Sequence, residues 1–157
     1  MPFNERSTLT KLADRLIAES RRELFHVPRW VADVPTSPGV YVLWQRTSDC
    51  PVYVGETTNL RARMKDLGRY ENHTCRRKLA KQLRIERGDE AILSTAIART
   101  HTLSYLEVRL GRAELEEYLR VRWSKSLLNA PGRRHRVLYD WVDPEDCQVS
   151  HRTRGKR

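Results

Sequence analysis

A chain of 157 residues with 39% hydrophobic and 32% charged side chains is long enough for one buried core and carries a heavily solvated surface. No apolar run nears the ~20 residues of a membrane span, and the opening Met1-Pro2-Phe3-Asn4-Glu5-Arg6 lacks the charged-then-apolar layout of a signal peptide. A soluble, cytoplasmic protein with no membrane partner is expected, and its net charge of +10 directs attention to a polyphosphate.

Residues 8–24 set Leu9, Leu12, Ala13, Leu16, Ile17 and Leu24 near helical spacing, which predicts an amphipathic helix packed on something larger. Pro28, Pro35 and Pro38 then break the chain into a linker. Val40 to Trp44 and Val52 to Val54 are rich in β-branched and aromatic residues and predict two strands joined by the polar loop Gln45–Pro51. Gly55 is expected to end the second strand, with Thr57 or Thr58 capping a helix that runs to about Leu67 and stops at Gly68. A second basic helix is expected over Cys75–Arg87, ending at Gly88. In residues 89–101, Ala91, Ile92, Ala96 and Ile97 favour a helix while a strand stays open.

Leu103–Leu110 alternates, with Leu106, Val108 and Leu110 on one face and Tyr105, Glu107 and Arg109 on the other, and predicts a third strand. Gly111 opens a helix to about Trp123, a loop reaches Asn129, and a short apolar segment around Val137–Trp141 precedes a polar tail. The order predicts an α+β fold: a small three-stranded mixed or antiparallel sheet flanked by helices, with an extra N-terminal helix. Residues 1–37 form a helix and linker packed on a core of 38–130, and 131–157 form a basic extension.

Cys50, Cys75 and Cys147 are odd in number, far apart and without a CxxC pair, so reduced thiols are expected and a zinc site is not. The positive charge is concentrated. From Arg61 to Arg87 ten Lys/Arg face three acids, which accounts for +7 of the +10. Arg133, Arg134 and Arg136 form a second cluster, and the tail from His151 to Arg157 is basic as well. Such clustering is the electrostatic footprint of nucleic acid, with Arg61, Lys65, Arg69, Arg76, Arg77, Lys78, Lys81 and the second cluster as candidate contacts.

Strand alternation sends Tyr41 and Leu43 one way and Val40, Val42 and Trp44 the other. If the two strands form a hairpin, Tyr41 and Tyr53 share a face, and Arg63, roughly two turns along the following helix, can swing back toward their hydroxyls. Two phenols and one guanidinium around a cleft can hold a phosphate, since arginine grips two phosphate oxygens while the tyrosines orient a water.

On the residues Gly39-Val40-Tyr41, Tyr53-Val54-Gly55 and the continuation "YVGETTNLRARM", the chain resembles the GIY-YIG nucleases, over roughly Pro38–Asn129. The resemblance implies a metal-dependent endonuclease acting on DNA, most readily double-stranded. Tyr41 would be the general base or its direct assistant, Tyr53 would position water or phosphate, Arg63 would stabilise charge developing on the phosphate, and Gly55 would leave room for the backbone to turn. It also implies a helix glutamate that binds one divalent ion, Mg²⁺ or Mn²⁺, and an asparagine, Asn129, that ties down a loop. In "AELEEYLRVRW" the helical face selects Glu116, while counting back from Asn129 selects Glu117.

Glu56 stands where many relatives have lysine, and Leu67 where some have histidine; His73 in a nearby loop reads first as a plain surface histidine and second as a substitute. The two terminal extensions are left to DNA contacts or a homodimer surface. A rival reading is a nucleic-acid-binding module that keeps this scaffold without catalysis.

Overall fold

The computed structural model describes residues 5–69 and 74–147, so the expectations on His73 and on the basic tail lie outside the described residues. In chain order the elements are α1 (Glu5–Ala18), β1 (Gly39–Gln45), β2 (Cys50–Thr57), α2 (Leu60–Leu67), α3 (Thr74–Leu83), α4 (Glu90–Thr100), β3 (His101–Glu107), α5 (Arg112–Arg122) and α6 (Arg133–Leu138). The three strands form one antiparallel sheet in the order β2-β1-β3. The expected α+β architecture, with its N-terminal helix, is therefore the one observed. Among the described residues no helix is long and apolar enough to cross a membrane.

The pleat of β1 divides the interior into two layers. Val40, Val42 and Trp44 enter a cluster with Leu9, Ala13 and Leu16 of α1 and Leu115 and Leu119 of α5. Tyr41 and Leu43 enter a second cluster with Leu60, Met64 and Leu67 of α2, Leu79 of α3, and Leu93 and Ile97 of α4. At about 1.5–3 kcal/mol for each buried leucine, α1 is part of the core and not an appendage.

Several boundaries differ from expectation for local reasons. α1 stops at Ala18 and not at Leu24, because the chain turns to pair Arg22 with Leu103 through N–H···O bonds of 2.7 and 3.0 Å. β2 runs through Gly55 to Thr57. The cap of α2 is Asn59, whose side chain accepts from the Ala62 amide at 3.0 Å; Thr57 instead accepts from the Asn59 amide. α3 ends at Leu83, since Arg84 takes a left-handed φ of 56°, well before Gly88. Residues 90–100 are helical, with Leu93 and Ile97 one turn apart on the buried side. β3 closes at Glu107, leaving Leu110 outside the strand and exposed. Residues 133–138 form a short helix.

Beyond α5 the chain lies along the outer edge of β2. The Leu128 amide donates to the Val52 carbonyl at 2.8 Å, and the Ser126 hydroxyl donates to the Pro51 carbonyl at 2.7 Å. Cys50 and Cys147 are joined by a disulfide that spans 97 residues of sequence, which corrects the expectation of three reduced thiols. The signal was unreadable locally because the partners meet only once the C-terminal segment has folded back. Ion pairs Arg122–Glu145 (2.7 Å) and Lys125–Asp146 (2.8 Å) hold that segment beside α5.

Candidate active site

Register brings the two tyrosines together. Tyr41 lies opposite Gly55, and Leu43 opposite Tyr53, so Tyr53 and Gly55 share the Tyr41 side of the sheet. The rings of Tyr41 and Tyr53 are stacked with centroids 6.3 Å apart and planes 21° from parallel. A Cβ at Gly55 would overlap the Tyr41 hydroxyl, so glycine is there to admit the phenol and not, as expected, to end the strand. The start of α2 is fixed by backbone bonds from Leu60 to Ser37 and from Arg61 to Pro35, both 3.0 Å, and by the Asn59 cap. From that anchored turn, Arg63 Nε donates to the Tyr41 hydroxyl at 3.3 Å.

Burial governs the protonation of this cluster. It lifts the Tyr41 phenol well above the ordinary range, a lift that Arg63 opposes. It pushes Tyr53 up to about 12, again with Arg63 opposing. Burial likewise raises the thiol of Cys75, which lies within electrostatic reach of Arg63 and of both phenols. Both phenols are therefore neutral near pH 7 and hold protons to donate. That state suits the assisting role expected of Tyr41; base character would need more positive charge at its oxygen than Arg63 alone brings.

The helix glutamates part company. Glu116 is within electrostatic reach of Tyr53, and its side chain is 20% exposed. Burial raises its carboxyl from the ordinary 4.5 to about 7; Arg120 opposes this, while Glu56 and Glu117 add to it. Glu117 faces the other way, accepting a 3.1 Å hydrogen bond from the Tyr139 hydroxyl and lying 3.6 Å from His135 Nε2. Glu116 thus lies on the Tyr53 side of α5, and Glu117 on the side facing α6. Asn129 is buried, and its side-chain amide brackets one residue of β2, with Nδ2 donating to the Val54 carbonyl at 2.6 Å and Oδ1 accepting from the Val54 amide at 3.3 Å.

A desolvated carboxylate with two further acids nearby is costly as an anion, and a hard divalent cation would relieve it. Among the described residues no three His, Cys, Asp or Glu side chains converge as a cage. Glu116 is a single carboxylate donor there, so an ion at this place would take its other ligands from water and phosphate oxygens.

Of the basic candidates, Lys65, Arg69, Arg77, Lys81, Arg133, Arg134 and Arg136 are exposed. Arg61 and Lys78 are half-buried and committed to carbonyls, Arg61 Nε to Val34 at 2.7 Å and Lys78 Nζ to Leu128 at 3.1 Å. Arg76 must be withdrawn as a nucleic-acid contact. Its side chain is fully buried, paired with Glu90 at 2.9 Å and bonded to the Leu67 carbonyl and to Ser94, so it fastens α3 to α4. Arg134 lines a cavity of about 500 Å³ together with Arg6 and with Glu5, Glu114, Glu117 and Asp140.

Sequence reasoning missed the arginines that flank Glu116. Arg112 and Arg120 sit one turn before and after it, a four-residue spacing that is visible in the sequence. Arg112 pairs with Glu56 at 2.7 Å, and Arg120 reaches the Asn129 turn. When the chain is compared with known proteins, no family model, no curated protein and no solved structure matches it.

Proposed function

We propose that the protein is a metal-dependent endonuclease that hydrolyses phosphodiester bonds of double-stranded DNA. The observation that carries this reading is the meeting of Tyr41, Tyr53 and Arg63 on one face of the sheet, with Glu116 within electrostatic reach of Tyr53. Tyr41, Tyr53 and Arg63 match the GIY-YIG resemblance position by position, and Glu116 matches it by helical face.

In this reading a scissile phosphate lies beside Tyr53, and Arg63 neutralises the charge that grows on its oxygens as water attacks phosphorus and the sugar oxygen departs. The neutral Tyr53 hydroxyl donates to a phosphate oxygen. The Tyr41 hydroxyl, already accepting from Arg63, orients the attacking water, whose proton passes to a phosphate oxygen while the departing sugar oxygen takes one from solvent. Glu116 would hold one Mg²⁺ or Mn²⁺, whose chemistry when bound is to stabilise the leaving oxygen. The exposed Lys65, Arg69, Arg77 and Lys81 supply salt-dependent attraction to the duplex backbone.

DNA as substrate makes the cytoplasm the working compartment, and there the Cys50–Cys147 bond meets reducing glutathione. The ion pairs of Glu145 and Asp146 would hold the C-terminal segment after its reduction.

The test is plasmid cleavage by purified protein with Mg²⁺ or Mn²⁺. Nicking or linearisation is expected, with Arg63→Ala and Tyr41→Phe abolishing it while DNA binding stays largely intact. Equal cutting by parent and variants would remove this active site. Salt-sensitive binding without cleavage under any divalent ion would leave a binding module.

A further inference from the structure

We propose that Arg120 is a positioning residue that fixes Glu116 and the Asn129 turn in register across the outer edge of β2. The inference rests on the nuclease reading for its catalytic consequence, although the clamp itself is a matter of geometry.

The guanidinium is used on both sides. Its Nε donates to the Asn129 carbonyl at 3.1 Å and its Nη2 to the Ala130 carbonyl at 2.9 Å, two successive acceptors that match the planar fork of arginine. Its Nη1 lies 3.9 Å from Glu116 Oε1, one helical turn back. The turn it grips is the one whose Asn129 side chain brackets Val54, the residue between Tyr53 and Gly55. One side chain therefore joins the acid of α5 to the strand that carries Tyr53, through contacts that each end on a site residue or its neighbour.

This arrangement addresses a problem that a lone carboxylate poses. Glu116 sits on a helix and Tyr53 on a strand, and the turn after α5 is bonded to the edge of β2 through Leu128, Ser126 and Asn129 while Arg120 ties it back beside Glu116. Without the clamp, a 1 Å drift of the turn would change the separation of acid and phenol, and misplacement on that scale is enough to cost about 10²-fold in rate. Lysine cannot replace the arginine, because one ammonium cannot serve two successive carbonyls and face the carboxylate in fixed directions. Partners that orient a metal ligand are commonly worth about 10–100-fold in metal affinity or activity.

The experiment compares the full-length parent with Arg120→Lys and Arg120→Gln by three measurements. Amide hydrogen exchange at Val54 reads the clamp directly and needs neither metal nor DNA; exchange about tenfold or more faster in Arg120→Gln is expected, and parent-like protection would overturn the clamp. Mn²⁺ binding by titration of metal-free protein should weaken about tenfold in both variants. Cleavage should show kcat down by about 10–100-fold with KM within about twofold, and with the lysine variant no better than partly restored.

Parent-like kcat and Mn²⁺ affinity would overturn the catalytic part. So would losses that vanish when the variants are assayed well below their melting temperatures, since that is the mark of a merely structural residue. If the parent itself neither binds Mn²⁺ nor cuts DNA, the nuclease reading fails and the catalytic part with it, while Val54 exchange still decides the clamp.

Discussion

The two layers flanking the sheet are built from similar apolar side chains but differ in what they bury beside them. On the α1/α5 side, Trp44 meets Trp123 edge to face at 5.4 Å, and its indole N–H donates to Ser104 at 2.8 Å. That layer also buries two phenols, Tyr118 and Tyr139, the latter donating to Glu117 at 3.1 Å. On the α2–α4 side, two phenols, a thiol and a guanidinium are interred together: Tyr41, Tyr53, Cys75 and Arg76. Burial pushes both phenols and the thiol up, so that layer holds its ionisable groups protonated. Both layers therefore bury phenols, and what sets the α2–α4 side apart is the buried guanidinium of Arg76 and the thiol of Cys75.

The comparison can be broken or sharpened by substitution. The largest effect is expected at Arg76. Arg76→Ala strands the polar groups gathered around it and should cost about 3–5 kcal/mol in denaturant unfolding, with DNA affinity little changed where the protein is still folded. A cost below about 1 kcal/mol would mean that Arg76 does not fasten α3 to α4.

Next is the crosslink, which lies outside both layers. Cys50→Ser with Cys147→Ser should lower stability by about 2–4 kcal/mol under oxidising conditions and leave cleavage nearly unchanged. Matching melting curves for the variant and the oxidised parent would count against it.

Glu116 should follow with a pH signature. Its folded carboxyl binds a proton more tightly than the unfolded chain does, about 7 against 4.5, so its contribution is fully present below about pH 4.5 and is lost as pH rises through about 7. In metal-free buffer Glu116→Gln should therefore gain on the parent by about 1–3 kcal/mol at pH 8 and show little advantage at pH 4. A flat difference across that range would contradict the burial of this acid.

The smallest change in stability, and the most telling, is expected for Tyr41→Phe. Removing a buried hydroxyl whose partner is a half-exposed arginine should shift unfolding by no more than about 1 kcal/mol, while cleavage is lost. A large loss of stability would make Tyr41 a structural residue and the two layers alike.

What the sequence disclosed was local in origin. The hairpin, the shared face of Tyr41 and Tyr53, the return of Arg63 and the buried stripe Leu115–Leu119–Trp123 all follow from periods of two or of 3.6 residues. What it withheld depends on partners that are distant in the chain. Arg76 reads as one more cation in a basic run until Glu90, fourteen residues on, is folded against it. Cys50 has no local hint of Cys147. α1 stops short of Leu24 because Arg22 finds Leu103 across the fold, and α3 stops at Leu83 because Arg84 goes left-handed, neither of which helical spacing can register. Glu116 was legible from the helical face, whereas the reach of Arg120 to the next turn was not.

The outer rims of the sheet have a bearing on how copies of this chain behave when crowded. One rim is occupied by residues 126–129 and the other by the backbone of Arg22, each using ladder groups that would otherwise template a foreign strand. Edge-to-edge strand pairing between molecules is thereby obstructed along residues 51–54 on one rim and at Leu103 on the other.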